Sequence, residues 1–256
     1  MVRNKNKIVH LRFYEELNDF LTSSKRKIRY DLNFTGSPSI KDVIESQGIP
    51  HTEVDMILIN GKSVGFDIKI KNDDDVSVYP VFESFDIGNI QRLRPAPLRN
   101  PKFVLDVHLG TLARYMRMLG FDTKYQNYFT DYQIISISVK ENRTILTRDL
   151  GILKHSDVTH GYWIRNTKPV KQIEEVVGRF NLKNNIDEFS RCIICNSKLN
   201  TVDKEKIIDR IPEKVKELHD EFFICRECDK IYWKGTHYTK MKSIINRLKS
   251  ESSNDI

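Results

Sequence analysis

Residues 103–149, FVLDVHLGTLARYMRMLGFDTKYQNYFTDYQIISISVKENRTILTRD, alternate two kinds of apolar pattern. "KFVLDV" (102–107) is a short apolar run that reaches Asp106, and "TILTRD" (144–149) is a second that ends on Asp149. Runs of this length read as buried strands. Between them, "GTLARYMRMLGFD" (110–122) places Leu112, Tyr115, Met116 and Leu119 on one helical face, with Gly120 at its stop. "TDYQIISISVKENR" (130–143) opens on Thr130, a capping residue, and predicts a second helix. "GYWIR" (161–165) supplies a third strand. Strand–helix repetition predicts an α/β domain over 102–185 with a mainly parallel sheet. Ligands of such sheets bind beyond the carboxyl ends of the strands.

Upstream, residues 1–87 follow a different pattern. "KIVHLRFY" (7–14) and "KIRYDLNF" (27–34) are rich in β-branched and aromatic residues and predict a hairpin. "SPSIKDVIESQGI" (37–49) predicts a helix capped by Ser37, with Pro38 in its first turn and Gly48 at its end. "DMILINGKSV" (55–64) contains Asn60-Gly61, a strong hairpin-turn signal, and "VSVYPVF" (76–82) is a last strand. The order β-β-α-β-β resembles the ubiquitin-like β-grasp fold. Sulfur carriers of that fold act through a free C-terminal Gly-Gly. Here the last strand runs on into "FESFDIGNIQRLRPAP", so a docking or substrate-orienting module is expected. "RLRPAPLRNP" (92–101), with three prolines and three arginines, predicts a linker within 88–101. A module with its own core pattern behind such a linker is expected to be a separable accessory.

Asp106 and Asp149 each follow an apolar strand, and Asp131 stands at a helix start 18 residues before Asp149. Acids from three elements at one sheet edge form a hard, oxygen-rich site suited to Mg or Mn. Each acid also has a local reading. Asp131 complements the helix dipole, and Asp149 suits a turn before Gly151. A charge at Asp106, after "FVL", is costly unless paired or ligated. Arg114 and Arg117, three apart on the first helix, and Arg148, beside Asp149, are candidates for phosphate contact. A solvated or acid-paired face is the alternative. His108 reads as a structural or exposed histidine.

Downstream, Cys192-x-x-Cys195 and Cys225-x-x-Cys228 are separated by 29 residues. Two such knuckles predict a closed four-thiolate site holding one structural Zn in a ribbon over 186–250. A redox dithiol pair and an iron–sulfur cluster are the other readings. Tyr232, Trp233, His237 and Tyr238 interleave with Lys234 and Lys240, a pattern suited both to stacking RNA bases and to packing a small ribbon.

"FVLDVHLGTLARYMRMLGFDTKY" (103–125) and "DYQIISISVKENRTILTRD" (131–149) are similar to the Mut-seven C-terminal ribonuclease family, a PIN-like group, over about 92–245. Region 7–87 resembles the ubiquitin-like module that accompanies this nuclease in some members. The resemblance implies a divalent-metal-dependent ribonuclease acting on single-stranded RNA, and it carries metal-binding acids onto Asp106, Asp131 and Asp149. The broader PIN pattern has a fourth acid. The position here nearest to it is Asp122, which follows the Gly120 stop and can instead cap the next element. A three-acid set favours one ion over two.

Charge agrees with a polyanionic partner. Residues 92–180 hold 15 Lys/Arg against 8 Asp/Glu, and residues 191–249 hold 14 against 9. Residues 1–91 hold 12 against 14, so the basic excess begins with the linker. No run approaches the ~18–20 apolar residues of a membrane span. No apolar signal core follows the polar stretch 1–7, so a cytoplasmic location is the expectation. The expected activity is an RNA endonuclease. The alternative is an inactive RNA-binding adaptor that recruits a protein partner through the β-grasp module.

Overall fold

The computed structural model describes residues 6–80 and 101–250. Apart from Pro101, the linker expected at 88–101 lies outside the described residues. In chain order the elements are β1 (Lys7–Phe13), β2 (Tyr30–Phe34), α1 (Ile40–Ser46), β3 (Val54–Ile59), β4 (Lys62–Val64), β5 (Asp74–Pro80), β6 (Lys102–Leu105), α2 (Gly110–Met118), β7 (Thr123–Lys124) and α3 (Asp131–Glu141). There follow β8 (Arg143–Thr147), α4 (Leu150–Leu153), β9 (Gly161–Trp163), α5 (Pro169–Arg179), β10 (Leu199–Val202), α6 (Glu213–Leu218), β11 (Phe222–Cys225), β12 (Ile231–Trp233) and α7 (Thr236–Ser250). The described residues form two compact units. The first comprises 6–80 together with Ser138–Glu141 and Thr147–Trp163, and the second comprises Pro101–Ile137, Asn142–Leu146 and 164–250.

The first unit contains a five-stranded sheet in the order β2-β1-β5-β3-β4. β1 pairs antiparallel with β2 and parallel with β5, which is the ubiquitin-like β-grasp arrangement. Alternation along β1 turns Val9, Leu11 and Phe13 inward, where they meet Ile40 and Ile44 of α1 and Val76 and Val78 of β5. Asn60 and Gly61 both adopt left-handed φ, 51° and 78°, as the β3–β4 hairpin turn requires. The expected hairpin of β1 and β2 is present, and its long connection holds 3-10 turns at Glu15–Phe20 and Ser23–Lys25 that send Leu17 and Leu21 into the core. One sequence expectation needs correction. The helix cap is Ser39, not Ser37: Ser39 Oγ accepts from the Asp42 backbone N–H while the Asp42 carboxylate accepts from the Ser39 N–H.

In the second unit β6 lies between β7 and β8 and runs parallel to both. Phe103 pairs with Thr123 and Leu105 with Leu146, so the carboxyl ends of β6 and β8 share one edge. Helix α5, which was not read from the sequence, packs Ile173, Val176 and Val177 inward, and Pro169 fits its first turn. The ribbon strands β10-β11-β12 are antiparallel around Ile207, Ile211 and Phe222. The ribbon strands belong to this unit. Asp187 N–H donates to Leu119 O and Phe189 N–H to Met118 O, and Arg247 of α7 pairs with Glu174 of α5 at 2.7 Å.

Gly120 makes that junction sterically feasible. Its φ is +93°, and a Cβ there would stand 2.2 Å from Asp187 O and 2.9 Å from Ser190 Oγ. Gly36, at φ +73°, has nothing within 4 Å of such a Cβ. Gly36→Ala should therefore lower stability by about 1 kcal/mol, the cost of left-handed backbone alone. Gly120→Ala should cost several times as much, because backbone must also move. Thermal denaturation of the two variants measures the difference, and equal losses would count against the Asp187 contact.

Candidate metal centres

The two cysteine pairs adopt the same local fold. Asn196 N–H donates to Cys192 O and Cys192 N–H to Ser197 O. Asp229 N–H donates to Cys225 O and Cys225 N–H to Lys230 O, so each Cys-x-x-Cys closes on itself at the same offsets. The residue after each second cysteine takes left-handed φ, 75° at Asn196 and 59° at Asp229, a conformation for which Asn and Asp are suited. The four Sγ atoms all lie within 4.8 Å of one another, with Cys192 to Cys228 at 3.5 Å and Cys195 to Cys225 at 3.3 Å. Disulfide sulfurs would be about 2.05 Å apart. Thiolates around one zinc, at ~2.3 Å each, stand about 3.8 Å apart. Donor type, number and spacing therefore fit a closed structural zinc site. Burial opposes ionisation of Cys195, but the Ser197 backbone and side chain outweigh it and bring the thiol down to about 6, while burial pushes Cys228 up to about 12. Tyr232 hydrogen bonds Cys192 Sγ at 3.0 Å, and the Tyr238 ring lies 4.6 Å from that of Phe189. Trp233 packs on the ribbon's small core, so these three aromatics build the ribbon.

Arg117, a candidate phosphate ligand in the sequence, belongs to this centre instead. It is 3% exposed. Its Nε donates to Thr123 O at 2.9 Å, and its other nitrogens donate to Ile193 O, Ile194 O and Tyr125 O at 3.2, 2.6 and 3.3 Å. A guanidinium committed to four carbonyls does not face a substrate. Asp122 is likewise structural. It accepts from Arg143 at 2.7 Å and from Asn196 Nδ2 at 2.8 Å, with Arg191 at 3.7 Å. Burial works to raise its pKa, but the hydrogen bonds from Arg143 and Asn196 and the two guanidinium charges hold it below the usual carboxylate range.

The three candidate catalytic acids occupy different settings. Asp106 directly follows β6, is 5% exposed, and donates its backbone N–H to Leu146 O of β8 at 3.1 Å. Asp131 is exposed on the first turn of α3, where Thr130 and Gln133 form a reciprocal cap. Asp149, in the first unit, is exposed and caps α4 through Oδ1, which accepts from Gly151 N–H at 2.7 Å. Its own N–H donates to Thr147 Oγ1 at 2.8 Å. Arg114, Arg148 and His108 are exposed. Tyr128 and Tyr132, 69% and 80% exposed, flank Asp131 and were passed over in the sequence. Two tyrosines beside a helix start that contribute nothing to its apolar face are the signal that marks them.

Comparison with protein-family models matches residues 101–245 to the Mut7-C RNAse domain and residues 6–86 to the Mut7-C ubiquitin domain. No curated protein and no solved structure matches the chain.

Elemental analysis should find one zinc per chain. Cys192→Ser should lower that content and expose the ribbon to proteolysis, since three buried apolar residues are too small a core to hold it. Full zinc in a protein lacking both Cys192 and Cys225 would refute the four-thiolate site. Arg117→Lys should destabilise the fold by about 1.5–3 kcal/mol, because a lysine cannot reproduce the fork, and should leave the KM for RNA unchanged.

Proposed function

The chain belongs to the Mut7-C RNAse domain family, and we propose that it is a divalent-metal-dependent endoribonuclease acting on single-stranded RNA. The observation that carries this reading is the pairing of β6 and β8 in a domain of that family. These neighbouring strands run parallel, and each is followed at its carboxyl end by an aspartate: Asp106 immediately, Asp149 two residues on. Asp106, Asp131 and Asp149 are the proposed ligands of Mg or Mn. Such an ion supplies an activated water and neutralises charge on the phosphate. With Asp122 bound to arginines, the acid set is three, which favours a single ion.

Arg114 and Arg148, both exposed, are assigned to substrate phosphates; Arg117 is not. The exposed rings of Tyr128 and Tyr132 offer unpaired bases a stacking surface next to Asp131, which favours single strands over duplex. The basic excess over 92–180 favours a polyanion at this end of the chain.

Asp106→Asn and Asp149→Asn should each lower cleavage of a labelled single-stranded RNA by at least about 100-fold without loss of fold. EDTA should abolish cleavage, Mg or Mn should restore it, and zinc should not. Near-wild-type cutting by either variant would remove that aspartate from the site. Binding should weaken with salt at a log–log slope of about −0.7 per phosphate contacted, and Arg114→Ala or Arg148→Ala should flatten it by about that amount.

A further inference from the structure

We infer that the ubiquitin-like module acts as an intramolecular clamp on the segment after β8, and that Glu53 and Phe20 are positioning residues for Asp149. The positioning role rests on the reading of Asp149 as a metal ligand. The clamp is proposed in place of the separable accessory suggested by the linker composition, because Thr147–Trp163 shares one compact unit with the β-grasp residues.

The contacts are specific and come from one end of the module. The 3-10 turn His51–Glu53, between α1 and β3, is buried throughout. Glu53, 0% exposed, accepts the backbone N–H of Trp163 at 2.6 Å. His51 bridges Glu45, through Nδ1 at 2.7 Å, to the carbonyl of Val158, through Nε2 at 2.8 Å. Lys154 returns the contact by donating to Glu45 O at 3.2 Å. The Phe20 ring lies 5.1 Å from that of Trp163. A Cβ on Gly161 would lie 3.6 Å from the Thr52 side chain, ordinary van der Waals distance, so the segment runs directly alongside the module there.

Trp163 joins these contacts to the acid. Its backbone is held by Glu53 and its ring by Phe20, while its indole N–H donates to the carbonyl of Arg148 at 3.3 Å. Arg148 immediately precedes Asp149. One route from the module to the proposed ligand therefore runs through Trp163, by two hydrogen bonds and a ring contact. Burying a carboxylate is costly, and a backbone N–H at 2.6 Å offsets part of that cost only while the segment stays docked. Ubiquitin-like folds are widely used as docking surfaces for other chains; here the docked partner is the chain's own strand-to-strand segment.

The test uses the full-length protein and two independent readouts, amide hydrogen exchange across 150–163 and the Mn concentration that half-saturates cleavage. Glu53→Ala and Phe20→Leu should each speed exchange of that segment by about tenfold or more while amides of β1 and β5 remain protected. Both should raise the half-saturating Mn concentration with little change in KM for RNA. Glu53→Gln, whose amide oxygen still accepts from Trp163, should restore part of both effects. Asp149→Asn should lose cleavage with the exchange of 150–163 unchanged. Wild-type exchange of 150–163 in both Glu53→Ala and Phe20→Leu would overturn the clamp. Faster exchange with an unaltered Mn requirement, in a protein whose Asp149→Asn variant is inactive, would overturn the positioning role. Retained cleavage by Asp149→Asn would instead overturn the metal-ligand reading and leave the exchange result to decide the clamp alone.

Discussion

Four backbone carbonyls from two distant stretches of chain converge on the Arg117 guanidinium. Thr123 and Tyr125 follow α2 closely, whereas Ile193 and Ile194 sit inside the first zinc knuckle more than seventy residues later. Burial works against the charge of Arg117, and the nearby sulfurs of Cys192 and Cys195 support it. The arrangement is reciprocal: the guanidinium satisfies carbonyls that the tight knuckle cannot pair internally, and it places positive charge beside a cluster that is anionic when metallated. Removing the guanidinium would leave several buried acceptors without donors, each costing on the order of 1–3 kcal/mol.

Asp122 and Asn196 extend the same junction. Asn196 is left-handed because the knuckle turns there, and its amide then reaches both the Asp122 carboxylate and the Thr123 N–H. Arg143, at the start of β8, adds its guanidinium to Asp122 and to Phe103 O of β6. Knuckle, α2, β6, β7 and β8 are thus joined by a few buried and half-buried polar side chains, and Gly120 allows the close approach of the chain at Asp187. Free energy released by a metal bound at the cysteines would therefore be coupled to the parallel sheet, with which the cysteine region shares one compact unit.

Features fixed by local chemistry were legible in the sequence. Alternation in β1, the Asn60-Gly61 turn, the apolar runs of β6 and β8, the Thr130 cap and the four cysteines each announce themselves within a few residues. Features fixed by distant partners were not. Arg114 and Arg117 lie about 60° apart around a helix of 100° per residue, close enough to look equivalent. Arg114 is exposed, while Arg117 is covered by a knuckle whose arrival nothing in α2 signals. Asp122 resembled a spare catalytic acid until Arg143 and Arg191 claimed it. Helix α5 carries local signals of its own, a proline at the start of "PVKQIEEVVGR" and a clear apolar stripe.

The boundary between the two units cuts the chain between Leu146 and Thr147, inside β8. Residues 143–146 are fixed by pairing with β6, and from Thr147 onward the chain is held with the β-grasp residues. Asp149 stands just past that crossing. Its rotamer is set locally, because Oδ1 is bound by Gly151 N–H and its backbone N–H by Thr147 Oγ1. Its location depends on what holds the turn as a whole, and there the indole of Trp163 on Arg148 O, with Glu53 and Phe20 behind it, is decisive. As the proposed metal ligand, Asp149 needs both kinds of restraint, since a correct rotamer on a wandering backbone would miss the ion. An exposed turn after a strand supplies only the first. The β-grasp module supplies the second, and that gives a physical reason for a ubiquitin-like fold to be joined in one chain to this nuclease domain.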